Sequence, residues 1–238
     1  SLGFNTINHY GYFANNGTID ASGTFAKLLD NAKSAGLQVN VGTESDEARN
    51  DLTLFIGKYD SHPSGWGYSV YDEPATRGIA IADQDAKITQ LRGLTQKYLT
   101  MVDLLVSKSA FKQLFSTNYD IVFVDSYATR NGKATLQERI KKDLENMRMD
   151  FGGIKAMTKQ QRIYPVVSAM LNSGSYYTDD PAQIIATSEI YGKVGGGNFG
   201  MFAWDAVGDT EITGRLRDNV DFKELAKRLT SQDVRTPL

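Results

Sequence analysis

Asp72 and Glu73 form a pair of adjacent carboxylates directly before Pro74, at the end of the segment Gly67–Pro74. A carboxylic acid can protonate a leaving oxygen, and a second carboxylate can stabilise developing positive charge or deliver a nucleophile. For Glu73 to act as an acid near neutral pH, burial or a nearby carboxylate must raise its pKa. We therefore interpret Glu73 as a candidate general acid and Asp72 as a candidate partner.

Other carboxylates, amides and aromatic residues follow further apolar runs of the chain. Asp125 comes directly after the apolar run Ile121–Val124, where an unpaired carboxylate would be costly to bury, and it is the third catalytic candidate. Aromatic rings pack against the C–H faces of sugars, and carboxylates and amides bind sugar hydroxyls, so this composition favours a carbohydrate ligand. The predicted substrate-binding residues are Asn8, His9, Tyr10, Tyr71, Tyr127, Trp204 and Asp205.

The elements that must position these residues alternate along the chain. Phe25, Leu28, Leu29 and Ala32 share one face of the first predicted helix, and Gly36 follows where a helix end favours positive φ. Further helices are predicted at Asp46–Ile56, Ile81–Tyr98, Phe111–Phe115, Leu136–Met149, Pro181–Val194 and Phe222–Leu229. Strands are predicted at Phe4–Ile7, Leu37–Val41, Gly67–Tyr71, Leu99–Val106, Asp120–Val124, Ile163–Val167 and Phe199–Trp204. Such alternation predicts right-handed βαβ units and an α/β fold with a parallel sheet.

A closed barrel and an open doubly wound sheet both fit this alternation. No Gly-x-Gly-x-x-Gly sequence follows the first strand, which weakens a dinucleotide-binding interpretation. We therefore predict a single TIM-like (β/α) barrel domain over residues 1–238. Seven strands are recognisable, one fewer than such a barrel needs. The missing strand is expected either before Ser1, where the chain opens as if trimmed, or between Asp209 and Arg217.

The position of the candidates relative to the strands supports a site. Active sites of parallel α/β folds lie at the C-terminal ends of the strands, and the candidate residues follow strands there. Along an ideal strand, side chains alternate between the two faces, so Tyr71 is expected to share the side of Glu73, with Asp72 opposite. Twist at the end of the strand relaxes this expectation for Asp72.

The segment Gly67–Pro74 resembles the fourth-strand motif of barrel glycoside hydrolases, in which a Glu before Pro is the acid/base. It is also similar to the Asp-Glu pair of substrate-assisted N-acetylhexosaminidases, in which the Asp orients the acetamido group of the substrate. The resemblance implies a glycoside hydrolase acting on a polysaccharide or glycan, with Glu73 as its acid. If one strand precedes Ser1, the third strand here is the fourth of the barrel, as the motif requires.

The resemblance leaves the second catalytic group open. The strand that would be seventh in the barrel runs into Ser168 and Met170 without a carboxylate, where retaining enzymes of the commonest clan have a Glu nucleophile. Three alternatives remain: substrate assistance by Asp72, an inverting pair of Glu73 with Asp125 or Asp205, or a catalytically degenerate barrel that binds glycans. A metal-dependent lyase or aldolase is a weaker alternative, since no Lys ends a strand.

Composition limits the classes of partner that the chain is expected to bind. A net charge of -2 gives no basic surface for nucleic acid, and no apolar run approaches the roughly 20 residues that cross a bilayer. With two histidines far apart and no cysteine, no zinc site is predicted, and no metal ligand or cofactor is assigned. Mg²⁺ or Ca²⁺ bound by carboxylates among Asp72, Glu73, Asp125 and Asp205 stays an alternative. We expect a carbohydrate substrate and a secreted or cell-surface location, with the oligomeric state open.

Overall fold

The computed structural model describes residues 5–8, 24–104, 116–125, 162–168, 171–173, 188–189, 200–202 and 212–214. Helices of the described residues are α1 (Thr24–Ser34), α2 (Asp46–Asn50), α3 (Leu52–Tyr59) and α4 (Ile81–Arg92). The strands are β1 (Thr6–Asn8), β2 (Gln38–Gly42), β3 (Gly65–Asp72), β4 (Tyr98–Leu104), β5 (Ile121–Asp125), β6 (Ile163–Ser168), β7 (Leu171–Ser173), β8 (Gly200–Phe202) and β9 (Ile212–Gly214). The helices predicted at 111–115, 136–149 and 222–229 lie outside the described residues, as does nearly all of the one predicted at 181–194.

Contacts divide the chain into two compact units, one formed mainly by residues 4–122 and the other mainly by residues 123–156 and 163–238. The single domain expected over residues 1–238 stays a prediction. The first unit contains β1 to β4 with the four helices and the start of β5, and it holds the Asp72–Glu73 pair. The second unit contains the described strands β6 to β9.

In the first unit, strands that are consecutive in sequence pair in parallel. β1 pairs with β2, β2 with β3, and β3 with β4. Residues 67–70 of β3 are all buried, as expected for a central parallel strand covered on both faces. The ladder between β3 and β4 shifts register between Ser69 and Tyr71. The alternation of side chains between the two faces of the sheet is therefore interrupted just before the candidate carboxylates.

In the second unit, β6 pairs with β8 in parallel, and β7 pairs with β9 in antiparallel orientation. β9, at Ile212–Gly214, falls in the interval where the sequence leaves room for a missing barrel strand. Because β9 pairs antiparallel with β7, it does not supply that parallel strand. Of the two expected positions, the one before Ser1 stays a prediction.

Helix α1 packs on the sheet by the stripe that its sequence predicts. Phe25, Leu29 and Ala32 are buried, and Gly36 has φ of +68° directly after the helix, which confirms its helix-ending role. The ring of Phe25 lies 5.6 Å from that of Phe55 and 4.6 Å from that of Tyr59, both on α3. This aromatic cluster fixes α1 against α3.

A continuous helix over residues 46–56 is not formed, so that prediction is wrong in its extent. Asp51 has extended backbone angles (φ -151°, ψ 91°) and separates α2 from α3. Its carboxylate accepts a hydrogen bond from the Leu54 N–H at 2.9 Å, which caps the first turn of α3. The Leu54 N–H thus donates to the Asp51 side chain instead of continuing the hydrogen bonding of α2, and a new helix begins after Asp51.

Helix α4 is shorter than its apolar pattern predicts. The helix ends at Arg92, and Gly93 caps it by donating its N–H to carbonyls of the last turn. Leu94 therefore lies outside the helix, and β4 begins at Tyr98. The helix predicted to reach Tyr98 is wrong beyond Arg92, because the pattern of apolar residues continues across the glycine that stops the helix.

Candidate active site

The C-terminal ends of β2, β3 and β4 bring charged side chains together. Glu44 lies two residues after β2, Asp72 ends β3, Glu73 follows it, and Asp103 lies near the end of β4. Arg77, in the turn after β3, is a cation that contacts this group. We call these five residues the carboxylate cluster.

Glu44 is an ionised member of the carboxylate cluster. Arg77 donates to both of its carboxylate oxygens, through Nη1 at 2.8 Å and Nη2 at 2.9 Å, and the Asp72 N–H donates to Oε2 at 2.8 Å. Burial alone would raise the pKa of Glu44, but the hydrogen bonds from Arg77 and the Asp72 backbone outweigh it and lower the pKa. Glu44 is therefore a fixed negative charge beside the carboxylate pair.

Asp72 binds protons more strongly than an ordinary aspartate. Burial raises its pKa to about 7, with further contributions from the negative charges of Glu73 and Glu44, while Arg77 opposes them. Arg77 also donates to the Asp72 carbonyl oxygen at 2.7 Å, so it braces the backbone at this point. The Asp72 carboxyl is thus part-protonated near neutral pH.

Glu73 has an unusual backbone. Its φ is +46°, in the left-handed region that residues other than Gly, Asn and Asp rarely adopt. Its N–H donates to the Val102 carbonyl of β4 at 2.8 Å, and its own carbonyl accepts from the Arg77 N–H at 2.9 Å. Because β3 ends at Asp72 and Glu73 leaves the extended conformation, the alternation expected for residues 71 to 73 does not extend to Glu73. Local strain of this kind is concentrated at functional sites.

The Glu73 carboxyl also has a raised pKa. Burial is the largest cause and the negative charge of Asp103 the second, while Arg77 acts in the opposite direction. Asp72 and Glu73 are thus neighbouring carboxyls whose pKa values are both raised. The arrangement can hold a proton at neutral pH and release it to a nearby base.

Asp103 is fully buried, and its carboxylate binds the turn that follows Glu73. Oδ2 accepts from the Ala75 N–H at 2.6 Å, and Oδ1 accepts from the Thr76 hydroxyl at 3.0 Å. Sequence analysis missed this residue. The signal was present, since a carboxylate within the apolar run Leu99–Val106 needs a polar partner if it is buried.

Tyr71 packs towards helix α4. The Lys87 Nζ lies 4.3 Å from the centre of its ring and donates to the Val70 carbonyl at 2.9 Å. Burial lowers the pKa of Lys87 to about 8, although Glu44 acts against this. Burial also raises the pKa of the Tyr71 hydroxyl, with Glu44 contributing. The role of Tyr71 in substrate binding stays a prediction.

Of the other predicted site residues, Asn8 is described. Its Oδ1 accepts from Asn40 Nδ2 at 2.7 Å, and Asn40 Nδ2 also donates to the Thr100 hydroxyl at 2.7 Å. Asp125 ends β5, but its side chain is outside the described part of the chain. His9, Tyr10, Tyr127, Trp204 and Asp205 are also outside it. The roles of these residues stay predictions.

Two members of the carboxylate cluster were hidden from sequence reasoning for different reasons. Glu44 directly precedes Ser45, which caps α2 by accepting from the Ala48 N–H at 3.3 Å, and an acid at the start of a helix is common enough to hide its pairing with Arg77. Arg77 lies in a turn, where no periodicity distinguishes it. Its partner is 33 positions away in sequence, so only the fold brings the two together.

Other kinds of site find less support in the described residues. No group of three His, Asp or Glu side chains there is arranged to hold a metal ion. A cavity of about 440 Å³ is lined by Arg49, Lys87 and Gln90 among others, whereas Asp72 and Glu73 do not line it. None of the helices in the described ranges is long and apolar enough to span a membrane.

Comparison with known proteins gives structural but no sequence matches: no protein-family model and no curated protein matches the chain. A catalytic mutant of a GH42 beta-galactosidase from G. stearothermophilus is similar with a TM-score of 0.72 and 13% identity, over 98% of this chain and 53% of that chain. A beta-galactosidase from the psychrophilic Marinomonas ef1 gives 0.70 and 10% identity, over 96% and 55%. An endo-beta-1,4-mannanase from Thermotoga petrophila gives 0.63 and 8% identity, over 96% and 70%.

These likenesses establish the fold. The chain is a partial parallel α/β barrel of the TIM type, as its sequence predicts. It spans a little over half the length of the two beta-galactosidases. The resemblance to barrel glycoside hydrolases therefore holds at the level of the fold, and the activity has to be argued from the site.

Proposed function

We propose that this chain is the barrel of a glycoside hydrolase that acts on a polysaccharide or glycan, with Glu73 as its general acid/base. The observation on which the proposal rests is the state of Glu73. Its backbone is held at positive φ and its carboxyl has a raised pKa, at the C-terminal end of a strand in a TIM-like barrel. Structural neighbours that are glycosidases support the same reaction class.

In the proposed reaction, protonated Glu73 donates its proton to the glycosidic oxygen while the bond from that oxygen to the anomeric carbon breaks. The leaving oxygen keeps the bonding electron pair, and the sugar carbon develops oxocarbenium character. Water then adds to that carbon, and the Glu73 carboxylate takes the proton of the water. Burial and the negative charge of Asp103 favour protonated Glu73 before each turnover.

Asp72 is the proposed partner within the described cluster. With a pKa of about 7, its carboxyl changes charge in the pH range where Glu73 must be reprotonated. In a substrate-assisted reaction it would orient an acetamido group. In an inverting reaction Asp125 or Asp205 would activate water instead. N-acetylated sugars therefore distinguish the first route from the second.

Beta-galactosides and beta-1,4-mannans are the first substrates to test, because the similar structures include enzymes named for them. A secreted or cell-surface location, expected from the sequence, belongs to the proposal. The activity of the whole protein is equally part of it, since the chain matches 53% of the length of one beta-galactosidase.

A second candidate function has its own observation. β6 ends at Ser168 and contains no carboxylate, so the strand that would provide a Glu nucleophile in the commonest retaining clan provides none. A barrel with an intact fold and an incomplete reaction centre would bind glycans without cleaving them.

The test is a panel of aryl glycosides, including N-acetylhexosaminides, and of polysaccharides, applied to three proteins. Glu73→Gln is close to isosteric and removes the acid, so we expect its rate to fall by roughly 10²- to 10⁴-fold. Glu47→Gln is the matched control, because Glu47 pairs with Lys58 at 3.1 Å away from the carboxylate cluster and should keep full activity.

Hydrolysis by the wild type that persists in Glu73→Gln would refute the assignment of the acid. An inactive wild type that binds glycans in calorimetry would favour the second candidate function.

A further inference from the structure

We propose that Asp103 is the positioning residue of this site: its buried carboxylate holds the turn after Glu73 and so keeps the Glu73 carboxyl in place beside a second negative charge. This inference rests on the proposed function for its effect on the rate. The hydrogen bonds that Asp103 makes to the turn do not depend on that function.

Asp103 binds the first residues of the turn after Glu73, in addition to the backbone hydrogen bonds within that turn. Pro74 has no N–H, so the first backbone donor after Glu73 is the Ala75 N–H, and this donates to Asp103 Oδ2 at 2.6 Å. The Thr76 hydroxyl donates to the other oxygen, Oδ1, at 3.0 Å. One carboxylate therefore binds two consecutive residues of the turn.

Strand β4 binds the chain at Glu73 and again two residues later, at Ala75. Val102 accepts the Glu73 N–H at 2.8 Å, and its neighbour Asp103 accepts the next available N–H along the chain, that of Ala75. A Glu in the left-handed region is strained and persists only when its surroundings impose that conformation. The two adjacent residues of β4 provide that constraint.

The charge of Asp103 has an effect separate from its hydrogen bonds. The charged groups described around Glu73 are Asp72 on its own strand, Glu44 after β2, Asp103 on β4 and Arg77 in the turn. Asp103 raises the pKa of Glu73 next after burial, and Arg77 lowers it. Removing the charge of Asp103 therefore makes Glu73 a stronger acid that loses its proton at lower pH.

Two substitutions separate positioning from charge. In Asp103→Asn, the amide oxygen can still accept from the Ala75 N–H, and the amide nitrogen can donate to the Thr76 hydroxyl oxygen, so both contacts are kept while the charge is removed. Thr76→Val has the opposite effect, since it removes one contact and keeps the charge. Asp60→Asn is the matched control, because Asp60 lies before β3 begins and accepts from the Thr95 hydroxyl at 2.6 Å and the Tyr68 hydroxyl at 3.2 Å.

The experiment measures the Glu73 carboxyl directly, by ¹³C NMR titration of glutamate-labelled protein with Glu73→Gln to assign the signal, and the pH profile of kcat/KM beside it. We expect Asp103→Asn to lower the pKa of Glu73 and to shift the basic limb of the profile to lower pH. Thr76→Val should leave the pKa in place and lower kcat/KM about 3- to 10-fold, the value of one hydrogen bond. Asp60→Asn should change neither.

An unchanged Glu73 titration in Asp103→Asn would overturn the proposal, and so would a Thr76→Val enzyme with unaltered kcat/KM. If Asp103→Asn does not fold, the Thr76→Val result decides. If the wild type hydrolyses no glycoside, the proposed function fails, and the NMR titration still decides whether Asp103 acts on Glu73.

Discussion

At the scale of single residues, the candidate site is defined by neighbouring carboxyls whose pKa values are shifted in opposite directions. Arg77 keeps Glu44 ionised, whereas burial favours the protonated forms of Asp72 and Glu73. Side chains that share a cluster but differ in protonation are a common basis for acid/base chemistry at neutral pH. Asp103 contributes both a charge and two hydrogen bonds to this arrangement.

The raised pKa of Asp72 predicts a pH dependence of folding stability. A carboxyl with a pKa of about 7 in the folded protein, against about 3.9 when unfolded, contributes stability fully below about pH 4 and loses it as the pH rises to 7. Asp72→Asn cannot ionise, so relative to the wild type it should gain stability between pH 4.5 and pH 8. Urea unfolding of both proteins at these two pH values measures the effect.

The comparison is a difference of differences, so titrating groups that do not interact with Asp72 cancel. Glu44, with its lowered pKa, loses its contribution only at more acid pH, and it does so in both proteins. Equal differences in unfolding free energy between Asp72→Asn and wild type at the two pH values would contradict the assigned pKa.

How much of the site the sequence predicts depends on where its contacts come from. Asp72 and Glu73 are recognisable because their chemistry is local: two acids, a proline and a strand stand in one segment. Glu44, Arg77 and Asp103 belong to the cluster through contacts between different strand ends. No spacing within one segment reports such contacts, although the lone carboxylate Asp103 in an apolar strand is a usable signal.

At the scale of elements, β3 determines the geometry of the site. It passes very close to β4 at Gly67, where a Cβ atom would lie 2.8 Å from the Tyr98 carbonyl oxygen and 3.1 Å from Asn40 Oδ1. Two positions further along, the ladder shifts register between Ser69 and Tyr71, before the strand delivers its carboxylates. β3 therefore needs a glycine to approach β4 closely, and the register shift after Ser69 sets the orientation of its last residues.

This close approach predicts the effect of a single methyl group. Gly67→Ala would force backbone to move and should lower the free energy of unfolding by about 1–3 kcal/mol. Gly57→Ala is the matched control, since Gly57 lies within α3 and a Cβ atom there would have no neighbour within 4 Å, so alanine should stabilise by up to about 1 kcal/mol. Urea denaturation measures both. Equal effects of the two substitutions would contradict the described packing of β3 on β4.

The sequence predicts the elements well where periodicity and terminators agree. Helix α1, Gly36 and strands β2 to β6 fall close to their expected positions, because apolar spacing and turn residues point the same way. The helices at 46–59 and 81–92 differ at Asp51 and Gly93. In both cases the apolar pattern continues across a residue whose local hydrogen bonding or flexibility interrupts the helix.

At the scale of the whole molecule, the alternation of strands and helices predicts a parallel α/β fold, and the lack of a Gly-x-Gly-x-x-Gly sequence after the first strand favours the barrel over an open sheet. The structural neighbours confirm that class at identities of 8 to 13%, where sequence comparison finds no match. The number of barrel strands was not predictable, since β9 lies where an eighth strand was possible yet pairs antiparallel with β7. The partner strand decides the orientation of such a short strand, and the sequence does not report which strand that is.

The central claim, that Glu73 protonates the leaving group, is tested most directly by the dependence of hydrolysis on that group. For the sugar identified by the panel, kcat/KM would be measured in wild type and Glu73→Gln with a dinitrophenyl glycoside, which leaves without protonation, and with a methyl glycoside, which needs it. We predict a loss of roughly 10²- to 10⁴-fold for the methyl glycoside and a far smaller loss for the dinitrophenyl glycoside. Equal losses for the two substrates, or no loss for either, would contradict the account.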